Sequence, residues 1–122
     1  MIYTGYFAKY KKYIEHNLYP VSIAGKAPEF YKGPEYKKLA PKYGFFKAWK
    51  NGEIDNFGYV ECFNKEVLEG LNQNDIQKEL YDLSEGKDIV LLCYEKPGDF
   101  CHRHLVADWL EHANIRVDEY EI

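Results

Sequence analysis

The sequence predicts an α/β fold: a small, mostly parallel sheet of about four strands with helices packed on it and a βαβ unit at its C-terminal end. Three observations predict it. Asp88–Tyr94 carries the longest apolar run, Ile89-Val90-Leu91-Leu92-Cys93-Tyr94, without alternation. A strand of that kind is apolar on both faces and belongs in the middle of a parallel sheet. Residues at helical spacing lie on both sides of it, and a β-branched segment follows the second helix, which is the strand–helix–strand order of a right-handed crossover. The 122 residues suit one domain, 1–122, with no linker or internal repeat.

In chain order, Ile2–Phe7 is β-branched and aromatic and reads as the first strand. Lys9–Ile14 reads as a short helix or turn that ends near Asn17, a residue tolerant of the left-handed exit. Tyr19–Ala24 is the second strand, entered through Pro20, which the first residues of a strand accept. Two glycines and two prolines between Gly25 and Pro34 break regular structure and make a loop. A short helix is expected over Glu35–Leu39 and another from Pro41 through Phe45, Phe46 and Trp49, with Asn51-Gly52 as the turn after it. Phe57, Val60, Phe63, Val67, Leu68 and Leu71 recur at threes and fours, as do Ile76, Leu80 and Leu83, so two helices should face a sheet. Gly86 suits a left-handed C-cap. After the Asp88–Tyr94 strand, Lys96-Pro97-Gly98-Asp99 turns the chain, a helix runs over Phe100–Ala113, and Ile115–Tyr120 is the last strand.

Composition bounds the function. The chain has 20 acidic and 16 basic side chains, a net charge of -4, which argues against sequence-independent DNA binding through many phosphate contacts. The lysines gather early, at Lys9, Lys11, Lys12, Lys26, Lys32, Lys37, Lys38, Lys42, Lys47 and Lys50, interleaved with aromatic residues. A nucleic-acid-binding or processing module built on that half is therefore an alternative. Core and rim aromatics with a solvated lysine face are the plainer reading. Three cysteines, with no secretory signal at the start, imply reduced thiols and a cytoplasmic protein. No apolar run approaches the roughly 20 residues of a membrane span, so no membrane partner is expected. CxxC, GxGxxG and P-loop patterns are absent, and no cofactor is expected.

Ligands of open α/β sheets gather beyond the carboxyl ends of the strands. That rule selects Cys93 to His104, the densest reactive stretch of the chain. Cys101 is expected in the first turn of the helix, where free N–H groups and the dipole favour a thiolate. Glu95 is placed for acid–base work or for pairing with Arg103, and His102 and Arg103 add positive charge for a phosphate or carboxylate. Cys93 reads as a packed hydrophobe. Glu95, Cys101 and His102 are thus the expected catalytic groups. Arg103, Lys26, Ser22 and Thr4 are expected to bind an anion, with Tyr6, Cys93 and Tyr94 lining the pocket. His104, Asp108 and His112 share a helical face at intervals of four, as exposed polar faces often do, and the cysteine and histidine spacings match no zinc pattern. No metal site is expected.

Leu91-Leu92-Cys93-Tyr94-Glu95 followed by Cys101-His102-Arg103-His104-Leu105-Val106-Ala107 resembles the C-terminal signature of the domain of unknown function 488 family. Ile2-Tyr3-Thr4-Gly5-Tyr6 and Pro20-Val21-Ser22-Ile23-Ala24 are similar to its first two strands. Gly33–Pro41 and Phe63–Leu68 are similar to segments of short bacterial and phage-type members. The resemblance implies a small cytoplasmic α/β domain with a shared polar pocket, and no particular reaction. Members usually carry an arginine just after the second strand. Here Gly25 and Lys26 follow Ala24, so either Lys26 supplies the charge, as a point rather than a planar fork, or that part of the site is lost. The expected function is a pocket for a small anionic ligand or nucleotide, with or without catalysis. A nucleic-acid module and a non-catalytic structural or interaction domain are the alternatives.

Overall fold

The computed structural model describes residues 1–96 and 98–122. Pro97, part of the expected Lys96–Asp99 turn, lies outside the described residues. Strands β1 (Ile2–Tyr6), β2 (Tyr19–Ser22), β3 (Ile89–Cys93) and β4 (Val117–Glu119) form one parallel sheet in the order β2-β3-β1-β4. Helices α1 (Tyr10–Glu15), α2 (Tyr43–Lys50), α3 (Asn56–Phe63), α4 (Gln73–Ser84) and α5 (His102–Glu111) pack around it. Among the described residues no helix is long and apolar enough to cross a membrane.

The apolar run does what its composition requires. All five residues of β3 are buried, and the pleat sends them alternately to two cores. Val90 and Leu92 pack with Phe7, Tyr13, Leu18 and Tyr31 on one face. Ile89 and Leu91 pack with Phe63, Leu80, Val106 and Leu110 on the other. The connection from β1 to β2 passes β3, and the one from β3 to β4 passes β1. Right-handed crossovers running in opposite directions place α1 and α5 on opposite faces. The chain therefore changes direction at the β1–β3 boundary, where such sheets form a crevice. Within the C-terminal βαβ unit β1 lies between β3 and β4, so the last strand pairs with Ile2–Thr4.

Element ends differ where tertiary contacts replace local preference. β2 stops at Ser22, although the Ile23 amide still donates to the Leu92 carbonyl at 3.0 Å. The expected Glu35–Leu39 helix shrinks to a 3-10 turn, Lys37–Leu39, because Glu35 is drawn into a bridge with Ser22. The apolar stripe before α4 is out of phase with its sequence reading. Tyr59 and Phe63 of α3 point inward while Phe57 is 72% exposed. A π turn at Asn64–Leu68, closed by Glu69 N–H to Asn64 O at 2.9 Å, inserts the extra residue that brings Val67 and Leu68 back to the core. Asn17 and Asn114 take the left-handed exits, at φ 63° and 62°.

Two further details position the site. Gly5 lets Tyr13 lie on β1, since a Cβ there would come within 2.6 Å of Tyr13 Cζ and 2.9 Å of Val90 Cγ2. The Tyr13 hydroxyl accepts from the Tyr6 amide at 3.2 Å. Along the outer side of β2, Pro20 has no N–H, its carbonyl accepts from the Tyr31 hydroxyl at 3.2 Å, and Ser22 exchanges backbone bonds with Pro34 and Tyr36.

Candidate functional site

A cavity of about 690 Å³ opens at the carboxyl edge of the sheet. Its floor is Cys93 at the end of β3, with Cys101 and His102 at the start of α5. Tyr94 and Glu95 continue from β3 along one side, beside Gly25 and Lys26 after β2. The opposite wall is aromatic. The Tyr59 ring lies 5.2 Å from that of Trp49 and 5.1 Å from that of Phe100, and Trp49 and Phe100 are 5.6 Å apart. Lys50 Nζ stands 5.1 Å from the centre of the Trp49 ring. Tyr43 and Phe46 extend this wall. Such a cavity has the size and mostly apolar lining of a small-molecule site.

His102 is buried, and its Nε2 lies 2.6 Å from the Ile23 carbonyl oxygen. A carbonyl can only accept, so Nε2 carries the proton and Nδ1 keeps its lone pair. Burial lowers the imidazole pKa to about 4, against the upward pull of the Ile23 carbonyl and with further lowering by Arg103 and His104. The ring is therefore neutral at pH 7, with Nδ1 4.0 Å from Cys101 Sγ. Burial, reinforced by the Glu95 carboxylate, raises the Tyr59 pKa far above the ordinary phenol value. Tyr59 is thus a neutral hydroxyl at the cavity wall.

The cysteines depart from expectation. Cys93 and Cys101 are joined as a disulfide, and Cys62 is the free thiol among the described residues. An odd count suggests reduced thiols but says nothing about which two meet in space. Cys101 also lies outside the helix: with φ -155° and ψ 142° it is the N-cap, and α5 starts at His102.

Arg103 is buried completely. Its Nε and Nη2 grip Glu119 at 3.1 and 3.0 Å, and its Nη1 donates to Cys93 Sγ at 3.1 Å and to the Glu95 carbonyl at 2.6 Å. The expected pairing with the Glu95 carboxylate is replaced by this fork on Glu119, and no face of the guanidinium reaches the cavity. Thr4 donates to the same carboxylate at 2.6 Å, and Ser22 Oγ accepts from the Ala24 amide at 3.3 Å. The Tyr6 ring lies 5.9 Å from the guanidinium carbon. Arg103, Thr4, Ser22 and Tyr6 therefore stand behind the cavity, whose lining includes Lys26, Cys93, Tyr94, Glu95, Cys101 and His102. Among the described residues Lys26 and Lys50 enter no ion pair.

A family model described as the active DUF488-N3 subclade matches residues 20–114. The chain belongs to the DUF488 family. Neither a curated protein nor a solved structure matches it. The matched span of this DUF488 chain runs from Pro20 in β2 to Asn114 after α5, so it takes in all of the cavity's lining among the described residues. In the place where the resemblance leads one to expect an arginine, this member presents Lys26 to the cavity.

Sequence reasoning missed two parts of this arrangement. Trp49, Tyr59 and Phe100 come together from α2, α3 and the approach to α5, and only the unusual aromatic density of the chain hinted at them. Glu119 gave no signal, because its partner Arg103 lies 16 residues away. Among the described residues one group of metal-capable donors lies close together, Cys93, Cys101 and His102, with ligand atoms all within 4.8 Å of one another. His104, Asp108 and His112 form no such group, and His112 Nδ1 binds the Asp108 carbonyl of its own helix at 2.7 Å.

Proposed function

We propose that this DUF488 protein binds a small anionic heteroaromatic ligand, a nucleotide in the first instance, in the carboxyl-edge cavity. The observation that carries the reading is the cavity's mixed lining. Its aromatic wall and two lysines that enter no ion pair among the described residues surround one space of about 690 Å³. A planar base stacked on Trp49 or Phe100 gains about 1–3 kcal/mol. Lys26 and Lys50 supply point charges for a phosphate, and the first turn of α5 adds free N–H groups and a positive dipole end. Tyr59 stays protonated and can donate. Glu95 supplies an acid–base group that chemistry on such a ligand requires. Arg103 serves this reading from behind, by fixing the end of β3 against β4.

The test is a titration with nucleoside mono-, di- and triphosphates, nucleosides and short single-stranded oligonucleotides, read by calorimetry and thermal shift at two salt concentrations. Saturable one-to-one binding of a nucleotide, weakened at least tenfold by Trp49→Ala and by Lys26→Ala, is expected. Binding that requires an oligonucleotide and collapses with salt assigns the site to nucleic acid instead. No binding of any of these ligands overturns the reading.

A further inference from the structure

We infer that, with its thiols reduced, the cavity floor is a three-ligand site for a thiophilic metal ion, with Zn²⁺ the natural probe and its fourth coordination position open to the cavity. The ligands are Cys93 Sγ, Cys101 Sγ and His102 Nδ1, which lie within 4.8 Å of one another and are all buried. A tetrahedral zinc with Zn–S of about 2.3 Å and Zn–N of about 2.0–2.1 Å separates its donors by about 3.5–3.8 Å. The 4.0 Å between Cys101 Sγ and His102 Nδ1 is close to that spacing already.

Two features of the surroundings point to metal-bound thiolates independently of the cluster itself. First, His102 is fixed in the tautomer a metal needs. Its Nε2–H is spent on the Ile23 carbonyl at 2.6 Å, which aims the Nδ1 lone pair at the sulfurs. A second partner of this sort orients most histidine ligands in metal sites. Second, the buried Arg103 directs Nη1 at Cys93 Sγ, 3.1 Å away. A disulfide sulfur is a weak acceptor, whereas a thiolate is a strong one for a charged donor. Charge also closes locally. Two thiolates and a neutral imidazole balance a divalent ion, and Arg103 is balanced by Glu119.

Backbone spacing permits both states. The Cα atoms of Cys93 and Cys101 are 7.3 Å apart, beyond the about 4.4–6.8 Å usual for a covalent bridge, so opening the sulfurs around an ion brings no backbone segments closer. Interconversion balances simply. A dithiol reductant delivers two electrons and two protons to the S–S bond and itself closes to a disulfide. Zn²⁺ then displaces the two thiol protons to solvent. Because all three donors line the cavity, the remaining coordination position faces whatever occupies it, water or a donor atom of the ligand. A water bound there ionises near neutral pH, within the space that Glu95 also lines.

Metal binding is measured on the ligand-free protein, so it stands or falls separately from the nucleotide reading. Reduced protein, freed of reductant without oxygen, is titrated with Co²⁺ and then with Zn²⁺ against a chromophoric chelator. One equivalent of Co²⁺ with thiolate charge-transfer bands and the intense visible absorption of tetrahedral cobalt is expected, displaced by Zn²⁺. Cys93→Ser, Cys101→Ser and His102→Asn should each weaken binding by at least about 10–100-fold, while Cys62→Ser leaves it unchanged. The oxidised wild-type protein, which needs no variant to fold, should bind none. A reduced protein that takes up no metal, an octahedral cobalt spectrum, or equal uptake by oxidised and reduced protein overturns the inference.

Discussion

Arg103 illustrates how a residue can stand out in a sequence while its partner stays hidden. Its place beside the reactive loop was legible, but its task was not. Local spacing offered Glu95 as the partner, and only the fold brings in Glu119 from β4. A guanidinium with no exposed surface and four directed bonds holds the ends of β3 and β4 together. Removing it leaves the Glu119 carboxylate with Thr4 as its remaining side-chain donor among the described residues. Arg103→Ala should therefore cost about 3–5 kcal/mol in urea unfolding. Arg103→Lys keeps the charge but not the fork and should recover only part of that loss. Unfolding curves identical to the parent's for both variants would remove this structural role. Cys93 and Cys101 show the complementary failure: the letters displayed both thiols, yet nothing in an eight-residue separation says that they meet.

At the level of elements, β3 was the most legible feature, because burial on both faces leaves a continuous apolar run. Helix phase was less so. The Phe57 to Leu71 pattern combines two registers, and the π turn at Asn64–Leu68 that reconciles them depends on tertiary packing. Element contact also explains a glycine the sequence reading passed over. α1 reaches the sheet through Tyr13, which occupies the space a side chain on Gly5 would need. Gly5→Ala should destabilise the protein by about 1–3 kcal/mol through overpacking. Combining it with Tyr13→Phe, which removes the hydroxyl nearest the new methyl, should return part of the loss. A double-mutant cycle in urea measures that coupling, and strict additivity would rule out the contact.

For the whole molecule, the strand order put the cavity where the connection rules place it, at the carboxyl edge beside the change of direction. Its position was therefore predictable from strand and helix order alone. Its aromatic wall was not, since Trp49, Tyr59 and Phe100 converge only after α2 and α3 fold over the sheet. The Cys93–Cys101 link ties the central strand to the last helix across eight residues, and loop closure of that length is worth about 2–3 kcal/mol. Reduction in the presence of a chelator should lower global stability by about that amount, and Zn²⁺ should restore it. Urea midpoints for the oxidised, reduced and zinc-loaded forms check this, and three equal midpoints would show that the link contributes nothing. A last consequence comes from the rim of the sheet. On β2 the outward amide of Pro20 does not exist, the Pro20 carbonyl is taken by Tyr31, and both outward groups of Ser22 are engaged. β4, on the far side, offers only three residues, two of them acidic. Both borders are thus blunted, one by cover and the other by its shortness and charge, so the fold resists polymerising edge to edge.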